Sequence, residues 1–247
     1  MRDIRFTIEG YGEIIRAFLR QGYTTVGFSE FEPRRGALLL RHDIDVSLLH
    51  AAWQAETNAQ LGVSATFFFL VSTHQYNLAS PTGREVLTRV LRAGQRLGLH
   101  FDASLYEDRP GELESCAAAE VSVLETIANS RVEAISFHRP VKSLQGLPNR
   151  FASLPHAYEP RFFSEIEYCS DSRGQFHHGA PWERAAFLNT DPYQFLTHPM
   201  WWMREKEMNG VGALLEFSDQ REKALRSDLA DNCQPLADYY QQNGVEL

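Results

Sequence analysis

The sequence predicts an α/β protein in which a parallel β-sheet is covered by helices. Apolar segments of strand length alternate, from about residue 8 onwards, with segments whose apolar residues recur every three or four positions. The strand segments are apolar throughout, which is typical of parallel strands that are buried on both faces. Six or seven such units favour a closed barrel over an open sheet, although periodicity alone does not separate the two.

The elements follow one another in a regular order through the first half of the chain. A helix is predicted where five apolar residues between positions 11 and 19 share one face, and Gly22 follows as a C′ glycine. Residues 37–41 form a buried strand, and Ser47 is placed to cap the next helix, which ends near 61–62. The further elements are strands at 65–71, 97–101 and 132–137 and helices around 86–91 and 113–127.

The second half is less regular. Residues 140–164 are expected to form an irregular loop with short helical turns, and strands return at 165–169 and 194–197. A final helix covers about 219–231. No stretch rich in proline, glycine or serine separates two parts of the chain, so we expect one domain over 1–247.

The composition excludes several classes of protein. A net charge of −8, with no basic cluster longer than Arg34-Arg35, argues against a nucleic-acid partner. No apolar run approaches the length of a membrane span. The N-terminal residues lack the apolar region of a signal peptide, and the three cysteines have no metal-site spacing. We therefore expect a reduced, cytoplasmic protein.

Polar residues that can bind metal or transfer protons follow most of the predicted strands. Ligand sites in parallel α/β folds lie at the carboxyl ends of the strands, so these residues are expected to meet there. Four of the five strand ends carry a histidine or a pair of acids directly after apolar residues. The five ends are residues 41–45 (RHDID), 98–102 (GLHFD), 136–140 (SFHRP), 168–172 (YCSDS) and 195–199 (FLTHP).

These residue types suggest a catalytic metal site. Asp43 and Asp45 share one side of an extended chain. Two carboxylates held close together need a cation between them, or one of them acquires a raised pKa and can act as a base. Imidazoles from His100 and His138 would complete a nitrogen and oxygen site of the kind zinc takes. His198, on another strand end, could protonate a leaving group.

Each residue also has a structural interpretation. A single histidine after a strand is commonly a hydrogen-bonded structural residue, and Asp43 and Asp45 could cap a turn and a helix. Recurrence at several strand ends favours chemistry for the acids, His100 and His198, whereas both interpretations stand for His138. Trp201-Trp202 is either part of the core or an aromatic wall that binds a sugar ring.

The order of these motifs resembles the NodB-type polysaccharide deacetylases of carbohydrate esterase family 4. It is most similar to the deacetylase-like branch found in O-antigen and surface-polysaccharide gene clusters. The likeness runs from Arg41 to Trp202. It implies a distorted (β/α)7 barrel, a divalent metal that is expected to be zinc, and a carbohydrate substrate.

The resemblance also implies roles for individual residues. It implies that Asp43 is the catalytic base, Asp45 and His100 are metal ligands, and His198 is the general acid. Arg139, with Pro140, would line the substrate groove, and Asp171 would orient the site.

Two departures from the family pattern affect this assignment. Ile44 separates the two acids, so the base and ligand roles of Asp43 and Asp45 could be exchanged. A second histidine ligand is expected near Ser104, and serine is a poor zinc ligand. Either His138 or Asp102 then completes the metal site, or the metal is weakly bound or absent.

The favoured function is a metal-dependent hydrolase that removes acetyl from an N-acetylated sugar during surface-polysaccharide assembly. The substrate would be a nucleotide-linked or lipid-linked sugar on the cytoplasmic side of the membrane. A metal-free C–N hydrolase acting on a non-sugar amide is an alternative, supported by Ser104. A non-catalytic carbohydrate-binding or assembly protein is a second alternative.

Overall fold

Seven parallel strands form the centre of the protein. The computed structural model describes residues 4–139, 144, 147, 149–177 and 179–245. It divides the chain into two compact units, Met1–Glu207 and Met208–Leu247, and all the strands lie in the first. The strands are β1 (Thr24–Val26), β2 (Ala37–Ile44), β3 (Thr66–Phe69), β4 (Arg96–Phe101), β5 (Val132–Phe137), β6 (Glu167–Ser170) and β7 (Tyr193–Thr197).

Helices connect the successive strands from β2 onwards, as is usual for parallel pairing, whereas residues 27–36 connect β1 to β2 without a helix. The first unit contains α1 (Ile8–Arg20), α2 (Leu48–Gln60), α3 (Pro81–Arg92), α4 (Leu113–Ala128), α5 (Pro160–Phe163), α6 (Ala185–Asn189) and α7 (Pro199–Trp202). The second unit consists of α8 (Gly210–Asn232) and α9 (Gln234–Gln242). No helix in the described part of the chain is long and apolar enough to cross a membrane.

The sheet has the order β5-β4-β3-β2-β7-β6, and β1 pairs with the first half of β2. Every pairing is parallel. Within the described residues, β5 and β6 are the two edges of this hydrogen-bonded path. The segment around His156 extends the sheet beyond β5, because Ala157 N–H donates to the Ile135 carbonyl at 2.9 Å. The seven-stranded α/β architecture is confirmed, and the strand pairing among the described residues does not close the barrel.

Strand β2 lies at the centre and positions the site. All eight of its residues are buried, since β1 and β3 flank it on one side and β7 on the other. Side chains alternate between the faces of a strand, so Arg41 and Asp43 share one face while His42 points to the other. The first face carries the polar groups of the candidate site, and His42 packs edge-on against Phe67 of β3 at a ring distance of 4.6 Å.

Local signals account for the helix ends. Ser47 caps α2 as predicted, with its hydroxyl accepting from His50 N–H at 3.4 Å. Gly22 follows α1 in the left-handed region, with φ of +94°, a conformation that strains residues bearing a Cβ. Thr7 caps the start of α1 in the same manner as Ser47 caps α2.

The structure departs from the predicted elements in several places, and helices α6, α7 and α9 are among the elements that were not predicted. Strand β1 was missed because its three residues are too few to show a period. Helix α8 begins at Gly210, nine residues before the predicted start, because Asn209 caps it there. Within the predicted loop 140–164, residues 140–143, 145, 146 and 148 lie outside the described residues, and the four-residue helix α5 agrees with the short helical turns expected there. One domain over 1–247 stays a prediction.

Candidate active site

Three side chains from three strand ends converge on one point. Asp45 follows β2, His100 lies on β4 and His138 follows β5. The Oδ1 atom of Asp45 is 3.1 Å from His100 Nε2 and 3.4 Å from His138 Nδ1, and the two nitrogens are 3.2 Å apart. The structure thus brings together the three residues predicted as metal ligands.

The donor set fits a divalent metal such as zinc. One carboxylate oxygen and two imidazole nitrogens are ligands that Zn²⁺ takes in catalytic sites, and one atom from each residue lies within 4.8 Å of the other two. The Oδ1 atom of Asp45 is buried and has no hydrogen-bond partner in the described structure. Burial raises the pKa of Asp45, but the adjacent imidazoles of His100 and His138 hold it well below its usual range. The residues present can therefore hold the ion.

Ser136 sets the orientation of the His100 ring. Its hydroxyl lies 2.6 Å from His100 Nδ1 and donates to Asp43 Oδ1 at 3.3 Å. A hydroxyl that donates to Asp43 accepts from His100, so Nδ1 carries the proton. The lone pair of Nε2 is then free to bind a metal, an arrangement common around histidine ligands.

Asp43 lies beside the cluster and is paired with Arg41. Arg41 donates from Nε to Asp43 Oδ1 at 2.8 Å and from Nη2 to Oδ2 at 2.7 Å. Both side chains are almost completely buried. Burial raises the pKa of Asp43, but the Arg41 guanidinium and the neighbouring His100 lower it below its usual value. Asp43 is therefore an anion held in a fixed orientation, with Oδ2 3.7 Å from His100 Nε2.

Arg41 is itself held by its surroundings. It donates to Gln194 of β7 at 3.2 Å, and its guanidinium lies 5.0 Å from the ring centroid of Tyr158. Burial lowers the pKa of Arg41, whereas the charge of Asp43 raises it, and the net shift is upward. The guanidinium therefore remains charged, and Asp43 is its counterion.

We expect substitutions of this buried pair to be strongly coupled. Arg41→Met leaves the Asp43 charge unpaired, and Asp43→Asn leaves the Arg41 charge unpaired, so each should lower the free energy of unfolding by about 3–5 kcal/mol. The double variant should lose less than the sum of the two. Denaturant unfolding of the four proteins measures the coupling, and additive losses would contradict the pairing.

His198 faces the cluster from β7. Asp171, which is fully buried, accepts from His198 Nδ1 at 2.6 Å and from its backbone N–H at 2.9 Å. The Nε2 atom then points towards Asp45, 3.7 Å from Oδ2. Burial lowers the pKa of His198, but the charge and hydrogen bond of Asp171 outweigh it and raise the pKa to about 9. His198 is therefore an imidazolium at neutral pH.

Asp102 and Ser104 form a separate pair beside His138. Ser104 donates to Asp102 Oδ1 from its hydroxyl at 2.6 Å and from its backbone at 3.0 Å. The Oδ2 atom of Asp102 accepts from Arg139 at 2.5 Å and lies 4.0 Å from His138 Nε2. Ser104 lies where a second histidine was expected, and it holds Asp102 in place. His138 is the third residue of the cluster with Asp45 and His100.

Arg139 lies at the edge of the site. Its side chain is 68% exposed and pairs with Asp102, and its backbone is in the left-handed region at φ +46°. The guanidinium that contacts Asp43 belongs to Arg41. The role of Arg139 in lining the substrate groove stays a prediction.

The two tryptophans have different surroundings. Trp202 is 0% exposed, packs against Phe6 at a ring distance of 4.3 Å, and donates from Nε1 to Asp171 at 2.6 Å. The prediction that Trp202 binds sugar is wrong, because no face of its indole is accessible. Trp202 instead supports Asp171. Trp201 is partly exposed, and substrate binding by it stays a prediction.

Sequence reasoning missed two residues that hold the site. Arg41 was read only as part of a motif, although its spacing of two residues from Asp43 places both on one face of β2. Ser136 is the cross-strand partner of His100, a relation that depends on the pairing register of β4 and β5. The sequence therefore carried a signal for Arg41 and none for Ser136.

Comparisons with known proteins find similarity in structure only. No family model and no curated protein matches the sequence. Eleven solved chains match the structure. The peptidoglycan deacetylase PdaC from Bacillus subtilis has 16% identity over 80% of this chain and 99% of its own, with a TM-score of 0.44.

Two further solved structures are similar to the same extent. The chitin deacetylase from Colletotrichum lindemuthianum has 13% identity over 80% of this chain and 86% of its own, with a TM-score of 0.45. A peptidoglycan deacetylase from Bdellovibrio bacteriovorus has 15% identity over 86% of this chain and 67% of its own, with a TM-score of 0.42. Likeness at this level does not assign an activity to this chain.

Proposed function

We propose that the protein is a metal-dependent hydrolase that removes acetyl from an N-acetylated sugar. The observation that carries the proposal is the convergence of Asp45, His100 and His138, with Asp43 and His198 beside the cluster. One acid and two imidazoles provide a place for a zinc ion. A carboxylate and an imidazolium beside that place provide a base and an acid for amide hydrolysis.

A divalent ion in this cluster would supply Lewis acidity, which polarises an acyl oxygen and makes water a better nucleophile at neutral pH. Asp43 accepts the proton of the attacking water on the oxygen that faces His100. His198 donates the proton from Nε2 to the departing amine, since Asp171 keeps Nδ1 occupied. Asp171 stabilises the imidazolium and holds the ring in place.

The surroundings of the two acids support one assignment of their roles. Both oxygens of Asp43 are bonded to Arg41, whereas Oδ1 of Asp45 has no hydrogen bond and faces two imidazole nitrogens. A carboxylate that a guanidinium already neutralises gains little from binding a cation. We therefore infer that Asp45 is the ligand and Asp43 the base.

The same geometry bears on the two alternatives. A metal-free hydrolase needs a carboxylate basic enough to activate water alone, but Arg41 and His100 lower the pKa of Asp43 despite its burial. A carbohydrate-binding protein would not require an imidazolium held by a buried acid next to three potential ligands. The observations therefore favour metal-dependent hydrolysis.

We further propose that the sugar belongs to surface-polysaccharide assembly, as in the O-antigen-associated branch that the motifs resemble. The substrate would be carried on a nucleoside diphosphate or a polyprenyl phosphate and would be reached from the cytoplasm. The order of the strand-end motifs supports this proposal.

Acetate release tests the proposed activity. The purified protein with zinc supplied is expected to release acetate from N-acetylglucosamine linked to a nucleoside diphosphate or a polyprenyl phosphate. A chelator should abolish the release, and zinc should restore it. Release that survives the chelator would favour a metal-free hydrolase, and no release from either donor or from a glycan would contradict the proposal.

A further inference from the structure

We propose that His42, Gln54 and Thr197 form a polar clasp that sets the distance between the acids of β2 and the proton donor of β7. The effect of the clasp on the reaction rate depends on the proposed function. Its effect on the geometry of the site depends only on the contacts described below. All three side chains are 0% exposed, and none belongs to the metal cluster.

The clasp joins β2 to β7 immediately before the site. His42 and Thr197 are cross-strand partners, and they form the last register pair between these strands. Their side chains point to the face of the sheet opposite the site, because Asp43 and His198 are the next residues of the two strands. The clasp is therefore the last side-chain connection between β2 and β7 before the site residues Asp43 and His198.

Hydrogen bonds fix the clasp on both sides. The Nε2 atom of His42 lies 3.0 Å from Asn58 Nδ2, and its Nδ1 atom lies 2.7 Å from Thr197 Oγ1 and 2.9 Å from Gln54 Nε2. Gln54 of α2 reaches the same hydroxyl at 2.9 Å. The Thr197 hydroxyl is thus held by one group from β2 and one from α2.

The position of His198 depends on Asp171 and on the end of strand β7. Asp171, which follows β6, holds the ring and backbone of His198, and strand β7 ends at Thr197. Asp171 sets the direction of the ring, but its side-chain hydrogen bonds in the described structure are to His198 and Trp202 and not to β2. The clasp adds the last side-chain connection to the backbone pairing of β2 and β7, and it thereby constrains the 3.7 Å distance between His198 Nε2 and Asp45 Oδ2. His42, Gln54 and Thr197 are positioning residues, since they act through His198 and the acids.

Removal of one hydroxyl tests the clasp. Thr197→Val keeps the shape of the side chain and removes both hydrogen bonds, whereas Thr197→Ser keeps the hydroxyl. Tyr23→Phe is the control, because it removes a buried hydroxyl that donates to the backbone carbonyls of Ala186 and Asp191, at 3.0 and 2.9 Å, outside the clasp. Thermal unfolding should report a similar loss of a few degrees for Thr197→Val and Tyr23→Phe.

The clasp predicts different effects on the site. Thr197→Val should lower kcat for acetate release by about 10- to 100-fold with little change in KM, because small displacements of a reacting group are costly. Thr197→Ser and Tyr23→Phe should stay within about threefold of the wild type on the same argument. A kcat loss in Thr197→Val no larger than that in Tyr23→Phe would overturn the proposal.

A second measurement does not depend on activity. The ¹⁵N chemical shifts of the His198 ring at a fixed pH report its surroundings, and they should move in Thr197→Val and remain in place in Tyr23→Phe. Shifts that move alike in both variants would overturn the clasp. If the wild type releases no acetate but the His198 shifts respond as expected, the proposed function fails and the clasp stands.

Discussion

Asp171→Asn is expected to lower kcat for deacetylation by about 10²- to 10⁴-fold, because a buried acid that holds a catalytic histidine contributes on that scale. The asparagine can keep the shape of Asp171 but not its charge. His198→Ala should cost a similar factor, and the double variant should cost little more, since residues that act as a unit are not additive. Rates measured at saturating zinc and substrate test this expectation.

The same variant should change the pH profile. Burial lowers the pKa of His198, but Asp171 raises it to about 9, so the proton donor is present below that pH and is lost as the pH rises through it. Without the charge of Asp171, the pKa of His198 falls. The decline in rate on the alkaline side of the profile should therefore begin at a lower pH. Asp191→Asn, at the opposite end of β7, is the control and should leave the profile unchanged. An unchanged profile in Asp171→Asn would contradict the pairing with His198.

His100→Ala is expected to reduce acetate release to the background rate even with zinc in excess. The substitution removes Nε2, which lies 3.1 Å from Asp45 Oδ1 and 3.2 Å from His138 Nδ1. Two remaining ligands hold zinc poorly, because catalytic sites use three. The loss in rate should exceed about 10³-fold, because the proposed nucleophile at neutral pH is water activated by the metal.

His74→Ala is the matched control for this experiment, because His74 is an exposed histidine in the chain segment that follows β3. It should retain wild-type activity and zinc content. Circular dichroism of both variants should match that of the wild type if the loss of activity comes from the missing ligand and not from unfolding. Activity in His100→Ala that zinc restores fully would contradict a ligand role for His100.

The sheet and its carboxyl-end site were accessible from the sequence because buried parallel strands leave a continuous apolar signal. The predicted strand 132–137 and the structural β5 (Val132–Phe137) coincide. The residues brought together at the strand ends could be predicted for the same reason, since parallel strands place their carboxyl ends at one edge. For His138, the sequence left both a ligand role and a structural role open. His138 lies beside His100 because β4 and β5 are neighbours in the sheet, and the sequence does not show which strands pair.

The contacts that support the site were less accessible. Trp202 was a candidate for sugar binding because the sequence shows two adjacent tryptophans but not which of them is buried. Arg139 has a left-handed backbone and pairs with Asp102, and its residue type suggests neither feature. Strand β1 is formed by pairing with β2, and three residues have no periodicity of their own.

Zinc bound per chain, in protein purified without a histidine tag, tests the central claim most directly. The claim is that His138, and not Asp102, completes the site with Asp45 and His100. The wild type should bind about one zinc ion and His138→Ala should lose it, since three protein ligands are the minimum in catalytic sites. Asp102→Asn should retain the ion with at most about 10- to 100-fold weaker affinity, the usual effect of a residue that only supports a ligand. Stoichiometric zinc in His138→Ala together with its loss in Asp102→Asn would contradict the claim.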